Sequence, residues 1–235
     1  MIGSILCVTL AGFAFGAVLM WLGTRGAPPS VARPRWIKLA VFFLIIHAML
    51  GAAALGRPWV MASLAVVLTA GGAELWRAWQ RIPRPRPRAI WPVFAGVALV
   101  SLHGAATMTP FAFAFAFLTT AACDGFSQVV GQWLGRHRLA PRISPGKTVE
   151  GFLGGLCAAV AVASFSRGLI GVPPARAAVY GGLIGVCGLA GDLSASWVKR
   201  RAGIKDFSRA LPGQGGVLDR FDSFLGTLAL ASWFL

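Results

Sequence analysis

Asp192, Ser196, Lys199-Arg200, Lys205-Asp206 and Asp219-Arg220-Phe221-Asp222 follow one another in a short stretch, with Pro212-Gly213-Gln214-Gly215-Gly216 between the last two groups. These are the parts that phosphoryl-group chemistry requires. Carboxylates hold a divalent cation, Lys and Arg offset the charge of transferring and leaving phosphates, and glycines let backbone N–H groups approach oxygen atoms closely. Asp219 and Asp222 are spaced to share one face if their segment is helical. A plainer reading has these charges only solvating a loop and capping two helices. Asp192 argues against it, because it lies on the apolar side of its basic loop, where a solvating residue has no reason to be.

The segments that must position these residues are apolar. The chain has 235 residues, of which 57% are hydrophobic and 12% charged, with a mean hydropathy of +0.72; soluble domains carry about 25% charged residues. A bilayer core about 30 Å thick needs about 20 apolar residues per helix. Runs at about 2–22, 37–55, 59–76, 89–107, 110–134, 151–170, 174–198 and 217–235 meet that length. The expectation is an all-α polytopic membrane protein of about eight transmembrane helices. It forms a single integral membrane domain over 1–235, in which 1–107 supplies spans of low motif content and 108–235 forms the catalytic half. The first run lacks a basic leader region and ends at Met20-Trp21-Leu22 without a small-residue cleavage site, so it is expected to remain as a span. Asp192 then ends one span and Asp219 opens the next, so a helical hairpin at the membrane surface could bring them together.

Charge placement orients the spans. Of the 22 Lys and Arg residues, only Arg57, Arg167 and Arg176 fall in the loops after even-numbered spans. The others collect in the loops after odd-numbered spans, which puts those loops in the cytosol and both termini outside. All seven acids, Glu74, Asp124, Glu150, Asp192, Asp206, Asp219 and Asp222, map to the same side. Acidic residues contribute little to orientation, so this clustering calls for a use of carboxylates at that face. An ionised Asp within a span costs about 2.5–3.5 kcal/mol, which demands partners or a hydrated cavity. The formal charge of +15 sits in short loops between spans, where anionic membrane lipids account for it and no nucleic-acid partner is expected. The cysteines show no ligand spacing that would suggest a zinc cage. Arg81-Ile82-Pro83-Arg84-Pro85-Arg86-Pro87-Arg88 alternates cation and proline, which rules out helix. No internal repeat stands out, which weighs against a cation-coupled transporter built from inverted halves.

The string from Ser196 to Asp222 resembles the signature of the phosphatidate cytidylyltransferase (CDP-diacylglycerol synthase) family. The shared features are Ser196, Lys199-Arg200, Lys205-Asp206, the Pro-Gly-x-Gly-Gly run and Asp219-Arg220-x-Asp222. Two further segments agree: Asp124-Gly125 followed by Gly131 and Leu134-Gly135, and Ile143-Ser144-Pro145-Gly146-Lys147-Thr148-Val149-Glu150-Gly151. Gln214 stands where the family has His, and Gly146 where it usually has Lys. The resemblance implies a bacterial inner-membrane enzyme that joins CTP and phosphatidate, or a related lipid phosphate, with release of pyrophosphate at the cytosolic face. It implies a Mg²⁺ cofactor, with Asp192, Asp219 and Asp222 as metal ligands, and a possible homodimer. Lys199, Arg200 and Lys205 would act with Asp192 and Asp219 in catalysis. Ser144, Lys147, Thr148, Ser196, Gly215, Gly216, Arg220 and Asp124 would bind substrate. Gln214 keeps open an alternative, a related CTP-dependent enzyme acting on another lipid phosphate or a lipid alcohol. Gln cannot titrate near neutrality as His does; a phosphate monoester dianion is already a nucleophile, so no general base is demanded.

Overall fold

The computed structural model describes residues 2–235. Among them run eight α-helices: α1 (Ile2–Thr24), α2 (Pro29–Leu55), α3 (Arg57–Arg81), α4 (Ile90–Thr107), α5 (Pro110–Leu134), α6 (Val149–Ser166), α7 (Pro174–Arg201) and α8 (Leu218–Ala231). A hairpin of β1 (Arg138–Ala140) and β2 (Ser144–Thr148) lies between α5 and α6. The helices α1 to α7, with α6 counted on to Leu169, are long and apolar enough to cross a membrane, and the chain is an integral membrane protein.

Local chemistry sets the helix ends. Proline occupies the first turn of α2, α3, α5 and α7, where its missing N–H has no intrahelical partner to lose. The Thr109 and Thr148 side chains cap α5 and α6, accepting the N–H groups of Ala112 and Gly151, each at 3.1 Å. The Arg–Pro run ends α3 at Arg81, as its composition dictates. The second helix starts at Pro29 rather than near 37, extending the expected span into its basic loop.

Two elements differ from a bundle of equal spans. The helix α8 has 14 residues, about 21 Å of length, which is short of the bilayer core. It need not face lipid along its length, because α4, α5 and α7 pack around it. Phe224 meets Phe113 and Phe117 edge to face at 5.2 and 5.0 Å between ring centroids. Deeper along the helix, the Thr120 hydroxyl donates to Thr227 at 3.1 Å. The hairpin is the second difference from the all-helical expectation. Pro141, Pro145 and Gly146 exclude helix there, and Arg138 pairs with Thr148 and Ala140 with Ser144 in antiparallel register.

Glycines let the helices that carry the acids approach closely. A Cβ on Gly151 would lie 2.9 Å from the Gly131 Cα, which joins α6 to α5. On α7, a Cβ on Gly191 would run into the Asp222 carbonyl oxygen and stand 3.0 Å from the Gly226 Cα of α8. This is small-residue packing of the kind that brings membrane helices together. Gly191→Ala is therefore expected to push α8 off α7, destabilise the fold by about 1–3 kcal/mol and lower turnover with it. Thermal unfolding in detergent checks this, and a midpoint equal to the parent's would show that the close approach is not required.

Candidate active site

A chamber of about 560 Å³ opens where the C-terminal part of α5, the hairpin, the start of α6, the middle of α7 and the first turn of α8 converge. Its lining includes Asp124, Lys147, Thr148, Asp192, Arg220 and Asp222, with Asp219 at its edge. Segments far apart in sequence thus meet around one chamber.

The floor of the site is organised by Asp219. Its Oδ1 accepts from Lys199 Nζ at 2.8 Å, and its Oδ2 accepts from the backbone N–H groups of Phe207 and Gly216, both at 2.8 Å. The carboxylate is buried, at 2% side-chain exposure, against 10% for Lys199. Lys199 also lies 3.8 Å from Asp222 Oδ2. One cation on α7 therefore ties together two acids on α8. A buried pair of this kind persists only where further hydrogen bonds satisfy both partners, and the two N–H groups supply them to Asp219.

The glycine run shapes the turn that delivers those N–H groups. Gly213 and Gly215 sit at φ values of 70° and 88°, a left-handed region that other residues rarely adopt. Leu211 N donates to the Gly215 carbonyl at 2.8 Å and Gln214 N to the Leu211 carbonyl at 2.9 Å. Gly216 N is thus engaged within the protein, and the run serves to fold a tight turn beside Asp219.

Asp192, from α7, also lines the chamber. Its Oδ2 pairs with Lys147 Nζ from the hairpin at 2.5 Å, and its Oδ1 accepts from the Ser196 hydroxyl at 3.1 Å. Both charged side chains remain about a quarter exposed. Asp124, Asp192 and Asp222 are close enough to act on one another electrostatically, with Lys147 and Arg220 acting on Asp124.

The sequence-identified residues therefore divide. Asp124, Lys147, Thr148, Asp192, Asp219, Arg220 and Asp222 line the chamber, and Ser196 and Lys199 stand directly behind its acids. Thr148 caps α6 and is also among the residues that line the chamber. Arg200 lies outside: its Nε donates to the Ile143 carbonyl at 3.0 Å, stapling the last turn of α7 to the hairpin turn, and the loop after α7 begins beyond it. Lys205 is exposed on that loop, and Ser144 begins β2 away from the chamber lining. Gly215 and Gly216 lie beside Asp219 and are not among the residues lining the chamber. His137 and Glu150 pair with each other at 2.5 Å beside the hairpin.

Two groups that the motif does not mark complete the site. Glu74 of α3 is 3% exposed and accepts from Ser208 Oγ, Val217 N and Leu218 N at 2.6, 3.0 and 2.8 Å. An acid within an apolar span is itself a signal of function, and it is the only one the sequence offers for Glu74. Ser223 lines the chamber beside Asp222, to whose Oδ1 its backbone N–H donates at 2.8 Å.

The donor chemistry fits a magnesium ion. The side chains available are hard oxygen donors, Asp124, Asp192 and Asp222. Among the described residues, no three acids, histidines or cysteines already converge as a cage. Magnesium is held through one or two carboxylates, with phosphate oxygens and water completing its shell.

Asp222 also lines a second cavity, of about 680 Å³, between α4 and the pair α7–α8. Its walls are apolar, with Val93, Phe94 and Val97 facing Trp197, Leu225 and Leu230. A charged chamber and an apolar cavity thus share Asp222 as a lining residue.

Comparison with known proteins places this architecture. Residues 89–235 match the model of the family described as the cytidylyltransferase family. The chain is 39% identical over 152 residues to a phosphatidate cytidylyltransferase of Brucella abortus, covering 61% of this chain and 56% of that protein. It is 42% identical over 122 residues to one of Synechocystis, covering 51% and 41%. A Staphylococcus aureus protein of the same name is 39% identical over 131 residues, covering 52% and 47%. The chain thus spans about half the length of the curated relatives it matches. The matched region begins just before α4 and includes all of the chamber, so the helices that bring Asp124, Lys147, Asp192 and Asp222 together are those by which the chain belongs to the cytidylyltransferase family.

Proposed function

We propose that this protein transfers the cytidylyl group of CTP to phosphatidate, giving CDP-diacylglycerol and pyrophosphate at the cytosolic face of the bacterial inner membrane. The observation that carries this reading is a charged chamber and an apolar cavity that share Asp222 as a lining residue. A lipid phosphate has both a charged end and apolar tails, and two such neighbouring spaces suit one of each. The names of the relatives support the same choice of nucleotide and acceptor. Positive-inside sorting supports the cytosolic placement, with both termini outside.

In the reaction an oxygen of the lipid phosphate attacks the α-phosphorus of CTP, and the bond from that phosphorus to the bridging oxygen breaks, releasing pyrophosphate. Asp192 and Asp222 would hold Mg²⁺, with Asp124 beside them. When bound, the ion supplies charge stabilisation to the phosphate oxygens and a template for in-line attack. Lys147 exchanges its contact with Asp192 for a phosphate oxygen, which draws nucleotide and carboxylate to the same wall. Arg220 and the Thr148 hydroxyl donate to phosphate oxygens from the other sides. Asp219 has both oxygens engaged by donors; its part is to fix Lys199 and the first turn of α8 rather than to offer a free ligand. The lipid phosphate needs no general base, since its dianion is the nucleophile.

Gln214 bears on the acceptor. Its side chain donates to the Lys38 carbonyl of α2 at 2.9 Å, and it is not among the residues lining the chamber. A Gln at this place holds the glycine turn to α2, so the departure from the family pattern leaves the residues lining the chamber unchanged. The test is purified protein in liposomes with CTP labelled at the α-phosphate, Mg²⁺ and a panel of phosphatidate, polyprenyl phosphate and diacylglycerol. Label appearing in CDP-diacylglycerol with equal pyrophosphate is the expected result. Label in another lipid would reassign the acceptor, and no pyrophosphate with any acceptor would overturn the reading.

A further inference from the structure

The first three helices lie before the matched region, yet α3 packs against the catalytic half and hydrogen-bonds to it through the Glu74 carboxylate. The Glu74 carboxylate accepts three hydrogen bonds, from the Ser208 hydroxyl and from the backbone N–H groups of Val217 and Leu218. Every one of these donors belongs to the loop before α8 or to that helix's first residue. A Cβ on Gly216 would come within 2.6 Å of the same carboxylate, so glycine is what lets the loop close over it. Leu218 packs against Gly71 one turn earlier on α3, where a Cβ would stand 3.3 Å from Leu218 Cδ1. The next residue after this grip is Asp219, and Asp222 follows one helical turn on.

Burying a carboxylate is costly unless donors satisfy it, and here the satisfied acid meets only the segment that places the site. If Glu74 served the bundle alone, its donors would come from neighbouring spans. Lys38 of α2 reinforces the same loop, accepting from Gln214 through its carbonyl and packing against Gly213.

We propose that Glu74 is a positioning residue of the active site: from outside the matched half it locks the loop through residues 208–218, and so sets where Asp219 and Asp222 stand. The proposal rests on the nucleotidyl-transfer reading. Glu74→Gln keeps the size but turns an amide N–H₂ toward N–H donors. It is expected to lower kcat per folded molecule by about 10- to 100-fold, the range for lost supporting contacts to a site. Amide hydrogen exchange at Val217 and Leu218 should quicken at least about tenfold as their acceptor is weakened. Ser208→Ala removes one donor only and gives a variant that keeps its fold if Glu74→Gln does not. Its kcat should fall by about three- to tenfold, consistent with loss of one hydrogen bond to a charged group, with an unchanged unfolding midpoint. Unchanged kcat per folded molecule in the variants would overturn the proposal, since a purely structural Glu74 changes the amount of folded protein and not its turnover. Should the parent protein release no pyrophosphate from CTP, the functional reading fails by itself. The exchange rates then decide whether Glu74 locks the loop, and unchanged rates at Val217 and Leu218 would refute it.

Discussion

Asp192→Asn leaves a folded protein whose pyrophosphate release from CTP is slower by about 10²- to 10³-fold, the scale expected when one preorganised charge is removed from a site of transferring phosphates. The fold is expected to tolerate the change. Asp192 and Lys147 are each about a quarter exposed, and ion pairs in contact with water contribute little to stability. Ser196 can donate to the Asn carbonyl oxygen as it does to Asp192. What is lost is negative charge on the chamber wall facing Asp124 and Asp222. The measurement is turnover of labelled CTP alongside a thermal melt of the same preparation. Parent-like turnover in a folded Asp192→Asn protein would remove this residue from the chemistry.

The opposite balance is expected at Asp219. Asp219→Asn replaces an acceptor of three donors with a group that presents two N–H donors of its own, facing Lys199, Phe207 N and Gly216 N. Breaking one member of a buried pair leaves an uncompensated charge and costs about 3–5 kcal/mol. The first turn of α8 and its approach to α7 should loosen, and activity should fall because the structure does. Cys123 and Cys187 are buried free thiols, so their reaction with a thiol dye on heating reports the opening of α5 and α7. A midpoint well below the parent's is expected. Pairing Asp219→Asn with Lys199→Met should destabilise less than the sum of the two, because the second change removes the stranded cation. An unshifted midpoint for Asp219→Asn would show that the Lys199 contact carries no weight.

Much of this arrangement was readable from residue order. The spans were legible because lipid demands long apolar runs, and their loops because basic residues sort to one side. The expected bounds at 110–134 coincide with α5. The string from Asp192 to Asp222 marked the candidate site, and the structure brings Asp192 and Asp222 to one chamber with Asp124 and Lys147. What stayed hidden depends on tertiary partners. The last run read as a full span, yet α8 is short because its neighbours rather than lipid enclose it. The hairpin at 138–148 has strands too short and polar for any periodicity to reveal. Arg200 and Lys199 adjoin in sequence, but their helix points one at Asp219 and the other at the hairpin turn. Glu74 carried no motif at all, since its role follows from meeting a loop over 130 residues later in the chain.

The most direct test is anomalous diffraction from crystals grown with CTP and Mn²⁺ in place of Mg²⁺. A single manganese peak inside the chamber, within about 2.0–2.3 Å of an oxygen of Asp192 or Asp222 and joined to nucleotide phosphates near Lys147, is the predicted result. Nucleotide bound with its metal away from the chamber formed by α5, α7 and α8 would contradict it.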